Sequence, residues 1–229
     1  MSQGRSGLQW WWPAVSGLAG LVGVAACGTA YLHSQLTPHV SLSDHARIAV
    51  LPVTVALVKQ GAESSLGNEI DPGAVDVITR ALYDMISQHT TFEIIDRNTV
   101  DQALTASAGP PATPLAVQAL AGSLGAEVIL TGIVTRYRER QGSHLSVSRP
   151  AAVGIELWLH SGQDGRLLWH GSYYEVQKSI SEEVRTLPLY WKRGTRWLTA
   201  QELAQYAVTE LVNAMPHGQS NVEGAKKDQ

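Results

Sequence analysis

One cysteine, one phenylalanine and a charged fraction of only 16% in 229 residues set the first limits. A lone thiol cannot close a disulfide within its own chain. A zinc site built on cysteine needs at least two thiolates and is excluded as well. Basic side chains number 17 against 20 acidic ones, a net charge of -3, so the electrostatic footprint of a nucleic-acid binder is missing. No G-x-G-x-x-G, P-loop or H-E-x-x-H pattern occurs, and no cofactor is implied. A hydrophobic fraction of 44% argues against disorder throughout, and the length suits one domain with extra segments at its ends.

What is present begins at the amino terminus. Arg5 is followed by an uncharged stretch from Leu8 to Ala26, whose second half, from Ala14, holds only Ala, Val, Leu, Gly and Ser. A short basic region before an apolar run is the layout of a secretory signal. Pro13 and the glycines make that run a poor membrane-spanning helix. The run ends in Val24-Ala25-Ala26-Cys27, which resembles the bacterial lipobox. The resemblance implies cleavage before Cys27, a diacylglycerol on its thiol and a further acyl chain on the new amino terminus. Gly28 is not the aspartate that retains many lipoproteins in the inner membrane, so the implied place is the outer membrane, facing the periplasm. Removing residues 1–26 takes away Arg5 alone among the charges and leaves a net charge of -4.

Residues 27–45 show no sustained period and read as the lipidated cysteine and a tether. A domain is expected over 46–216, with a disordered tail over 217–229. Ala46–Val53 is an apolar run of strand length, and Asp71-Pro72 reads as an N-cap and first turn of a helix whose apolar positions recur at three and four. Phe92–Arg97 reads as a short strand, Asn98-Thr99 as the cap of a brief helix through Val100, Ala103 and Leu104, and the helix Leu115–Leu124 follows, closed by Gly125. Glu127–Tyr137 is a long strand, and Val153–His160 alternates apolar and polar residues. A turn at Ser161–Gly165 leads into Arg166–Val176. Thr199 and Glu202 form a capping box for a final helix. The expected fold is α/β, a single domain with a mixed five-stranded sheet in the order 2-1-3-4-5 and helices on its faces.

Ile48-Ala-Val-Leu-Pro52, Ile94-Ile-Asp-Arg97, Leu124-Gly-Ala-Glu-Val-Ile-Leu-Thr-Gly-Ile-Val134 and Asp164-Gly-Arg-Leu-Leu-Trp169 are together similar to a superfamily of envelope domains. It comprises the curli-secretion CsgG family, the penicillin-binding-protein activator LpoB and the amino-terminal domain of TolB. The resemblance spans roughly residues 46–176 and implies a noncatalytic protein that binds another envelope protein or assembles into rings. The ring-forming alternative, a subunit of a CsgG-like secretion apparatus, implies a homo-oligomer. The turn Glu139–His144 is too short and polar for a membrane hairpin, and the segment 177–196 lacks an alternating apolar face.

Catalytic candidates are few. Ala121-Gly-Ser-Leu-Gly125 departs from a nucleophile elbow at its first position and reads as a helix end. Asp96 reads as a helix cap, and Trp169 as a packing residue. Glu156, His160 and His170 are the remaining groups an enzyme acting on wall or glycan would use, and the two histidines could meet across the 161–165 turn. The least ordinary segment is Leu187–Trp197, where Lys192, Arg193 and Arg196 stand among Tyr190, Trp191 and Trp197. Those residue types dominate binding hot spots, which makes the segment the candidate docking site for an envelope partner.

Overall fold

The computed structural model describes residues 30–37, 42–43, 45–56, 70–107, 109–143, 147–177 and 197–217. In chain order the elements are β1 (Ala30–Leu36), β2 (Arg47–Val50), β3 (Thr54–Val55), α1 (Ala74–His89), β4 (Glu93–Ile94), α2 (Arg97–Ala106), α3 (Pro114–Leu124), β5 (Val128–Arg138), β6 (Gln141–Gly142), β7 (Val147–Arg149), β8 (Ala152–Ser161), β9 (Leu167–Val176) and α4 (Ala200–Ala214). The main sheet runs β1-β9-β8-β5-β2-β4, with β3 also paired to β5. Strands β4, β2 and β5 are parallel, while β8, β9 and β1 are antiparallel to their neighbours.

The five strands expected from sequence lie in the expected order, and the sheet is larger by two. Strand β3 extends the β2 segment along β5, and β1 closes the opposite edge against β9. The tether reading of residues 27–45 is thereby corrected over Ala30–Leu36, which are part of the sheet. The strand escaped notice because only Leu32 packs against the core from this stretch, while Ser34 stands two residues further along the same face. Between β5 and β8, the expected turn Glu139–His144 holds β6, which pairs antiparallel with β7 beyond it.

Helix starts follow local chemistry. Asp96 caps α2 by accepting from the Asn98 and Thr99 amides, so the helix starts at Arg97 and Asn98 and Thr99, expected as its cap, lie in its first turn; Thr199 and Glu202 form the capping box of α4. Gly125 closes α3 in the left-handed region at φ 61°. Asp71 departs from expectation. Helix α1 starts behind Gly73, with no side-chain cap, and the Asp71 carboxylate accepts instead from the Glu139 amide at 2.7 Å. It ties the end of β5 to the approach of α1.

The crossover from β2 through α1 to β4 and the crossover from β4 through α2 and α3 back to β5 run in opposite directions along the sheet, so right-handedness places their helices on opposite faces. On one face α1 and α4 cover a core that includes Ile48, Ile78, Leu130, Leu157, Trp169, Leu203 and Leu211. On the other, α2 and α3 cover Ala49, Leu51, Ile95, Leu120 and Ile129. This second cover is narrower than the sheet.

Candidate interaction surface

The face shared by α2 and α3 continues past them onto β8, β9 and β1. The outward residues there are Glu156, Trp158 and His160 on β8, His170, Ser172 and Tyr174 on β9, and Tyr31, His33 and Gln35 on β1. All are at least partly exposed. Register sets them in rows across the strands: Thr131, Trp158, His170 and Gln35; then Ile133, Glu156, Ser172 and His33; then Arg136, Gly154, Tyr174 and Tyr31.

The rows are held by side-chain contacts. The Trp158 and His170 rings stack with centroids 5.1 Å apart and planes 16° from parallel. His170 Nε2 lies 3.4 Å from the Glu156 carboxylate, within ion-pair range but without the alignment of a hydrogen bond. Arg136 reaches over Gly154, donates to the Tyr174 hydroxyl at 2.5 Å and lies 5.8 Å from the Tyr174 ring centroid. Gly154 makes room for this crossing: a Cβ there would stand 2.4 Å from Thr135 Oγ1 and 3.3 Å from Arg136 Cβ. A cavity of about 180 Å3 opens beside Trp158, walled by Pro110, Pro111 and Ile133. The surface thus offers stacked aromatic rings, a carboxylate and a tyrosine held by buried Arg136, a mixture suited to binding.

His160 and His170 do not meet. A register shift between Leu159 and His160 sets His160 opposite Leu167, and His170 opposite Trp158. His160 Nε2 is 3.4 Å from Thr131 Oγ1. Burial holds the His160 pKa below its ordinary 6.5, and the Gly165 backbone opposes this more weakly, without an aligned hydrogen bond to Nδ1. Between the folded-state value and 6.5 the unfolded chain takes up a proton that the folded one does not. The stability from His160 is therefore complete above about pH 6.5 and falls as the pH drops below it, levelling off beneath the folded-state pKa. Urea midpoints from pH 7.5 to 5 should fall less in His160→Gln than in the wild type; equal slopes would refute the assignment.

The remaining candidates separate. Asp96 is occupied as a cap. Ser123 donates to the Leu120 carbonyl at 2.8 Å inside the end of α3, as a helix-end serine does. Among the described residues, no three His, Cys, Asp or Glu side chains converge as a metal site would require. Val24, Ala25, Ala26 and Cys27 lie outside the described residues, as do Tyr190, Trp191, Lys192, Arg193 and Arg196. Trp197 is described: it is half-buried and its carbonyl accepts from Arg140 at 2.8 Å. The ends that flank the docking candidate are close, because the Leu198 amide donates to Gln177 Oε1 at 2.8 Å. Both sit at the end of the sheet where β1 begins, since Ala30 pairs with Glu175. Arg136 and Tyr174 were missed as a pair in sequence; only register across Gly154 brings them together.

No protein-family model matches the chain. No curated protein matches it either. Solved structures do. The PelC dodecamer from Paraburkholderia phytofirmans is similar with a TM-score of 0.50 at 13% identity, over 83% of this chain and 99% of that one. Lipoprotein GNA1162 from Neisseria meningitidis gives 0.43 at 16% identity, over 65% and 92%. The LpoB C-terminal domain from Salmonella enterica gives 0.39 at 13%, over 59% and 86%. At such identities the likeness is one of fold.

Proposed function

We propose that the protein is a noncatalytic lipoprotein of the outer membrane, anchored through acylated Cys27, facing the periplasm and serving envelope assembly or transport by binding another protein. The observation that carries this reading is the placement of Val24-Ala25-Ala26-Cys27 at the end of an apolar run and three residues ahead of the first strand of the domain. Several acyl chains at about 0.8 kcal/mol per buried methylene make such an anchor effectively permanent. The open face around the stacked Trp158 and His170 and the segment Tyr190–Trp197 are its docking elements, with hot-spot residue types in both.

Fractionation with crosslinking in the native envelope tests it. Wild-type protein should float with membranes and carry one dominant crosslinked partner. Cys27→Ser should move it to the soluble fraction, folded. Changing Trp191, Arg193 and Trp197 to Ala should keep it on the membrane and lose the partner. An unacylated wild-type Cys27 overturns the anchor, and an unchanged partner in the triple variant overturns the docking role.

A second reading is a ring-forming subunit of a secretion apparatus. It is favoured by the likeness to a dodecamer that covers 99% of that chain. Sedimentation of the acylated protein in detergent separates the two: a homo-oligomer supports the ring, a monomer the adaptor.

A further inference from the structure

The anchor and the sheet are too close together for the domain to hang free. Strand β1 begins at Ala30, three residues after Cys27. Three residues span at most about 11 Å fully extended. Ala30 and Tyr31 pair with Glu175 and Tyr174, so they are fixed at the end of the sheet where β9 finishes and β8 starts. We infer that this end of the domain is a docking surface seated on the phospholipid leaflet, with the strands rising away from it. The inference rests on acylation of Cys27 as proposed above.

The side chains at that end suit a headgroup layer. Tyr31 is 61% exposed, Tyr174 and Trp197 are part-exposed, and aromatic residues with a polar tip favour the membrane interface. Arg140 and Arg149 stand there part-exposed, in the turn after β5 and on β7, while Arg136 and Arg138 at the end of β5 are buried, Arg136 donating to the Tyr174 hydroxyl and Arg138 to the Pro150 carbonyl. The acids beside them accept from the protein itself. Asp71 takes the Glu139 amide, Glu139 takes the amides of Ala200 and Arg140, and buried Glu175 takes the Tyr173 hydroxyl. The guanidinium groups of part-exposed Arg140 and Arg149 have the chemistry that pairs with lipid phosphates. The ten residues of β9 rise by roughly 30 Å, which sets the Ser161–Gly165 turn well clear of the leaflet.

The full acylated chain tests this directly, because acylation of Cys27 leaves any introduced cysteine as the only free thiol. An environment-sensitive dye is placed at Tyr31→Cys or Ser148→Cys, both exposed positions near the proposed surface, or at exposed Gln163→Cys at the far end. The protein is then reconstituted in phosphatidylethanolamine–phosphatidylglycerol vesicles containing a headgroup nitroxide. Quenching at 31 and 148 should exceed that at 163 by at least threefold. A fifteen-residue Gly/Ser insertion after Thr29, which frees the domain from the anchor, should erase the difference. Equal weak quenching at all three positions, in protein whose mass shows acylation, would overturn the seating and leave the anchor intact. Absence of the acyl mass would instead remove the anchor on which it rests.

Discussion

Trp169→Ala is expected to lower the unfolding free energy by about 3–5 kcal/mol, the range for truncating a large buried aromatic. The indole is 1% exposed. It folds back over Gly171, where a Cβ would lie 2.3 Å from two of its ring carbons, and its Nε1 donates to Ser34 Oγ at 2.7 Å. One side chain therefore fills the core under α4 and pins the edge strand β1. Loss of even the lower figure is a large part of the ~5–15 kcal/mol that folded domains possess. Urea unfolding with hydrogen exchange reads both effects: the midpoint should drop and the β1 amides should lose protection first. A cost under about 1 kcal/mol with β1 still protected would show that the ring is not what holds the edge. Ser34→Ala, which removes the hydrogen bond alone, is expected to cost about 1 kcal/mol.

Gly165→Ala is expected to cost about 2–5 kcal/mol, from two sources. The residue sits at φ 70°, where a side chain is strained by about 1–2 kcal/mol. Its Cβ would also stand 2.0 Å from the Pro114 carbonyl oxygen, a backbone atom at the start of α3, and overpacking of that kind costs about 1–3 kcal/mol. Gly73→Ala separates the two. Gly73 has φ 85° but nothing within 4 Å of the added carbon, so only the strain remains. Equal urea midpoints for the two variants would mean that the turn and α3 part without cost and that their close approach is incidental.

These two residues also mark what could be read in advance. The β5, β8 and β9 strands were legible because long apolar or alternating runs end at strong turn signals such as Gly162 and Gly165. The caps at Asp96, Thr199 and Gly125 were legible because capping depends on a few neighbouring residues. Asp71 carried the same local signal, yet its carboxylate is taken by the Glu139 amide, 68 positions away. Strand β1 gave no periodic signal, because its place depends on Trp169 and the free edge of β9 rather than on its own apolar content.

The candidate surface divides in the same way. Alternation through Val153–His160 already set Glu156, Trp158 and His160 on one face of a strand. Whether a helix would cover that face could not be read from the strand, since cover depends on where α2 and α3 land.

By itself the sequence determined the number and order of the central strands and the caps of several helices, and it carries the lipobox-like pattern on which the proposed anchor rests. Each of those follows from short-range patterns: an apolar run before Cys27, periods of two and 3.6, and capping residues at fixed offsets. Tertiary structure decided that Ala30–Leu36, read as part of a tether, form an edge strand, that Arg136 crosses Gly154 to Tyr174, and that β1 begins beside the end of β9, next to which Leu198 is bonded to Gln177. Those are pairings between residues up to about 145 positions apart, formed by register and packing, and no local pattern encodes them.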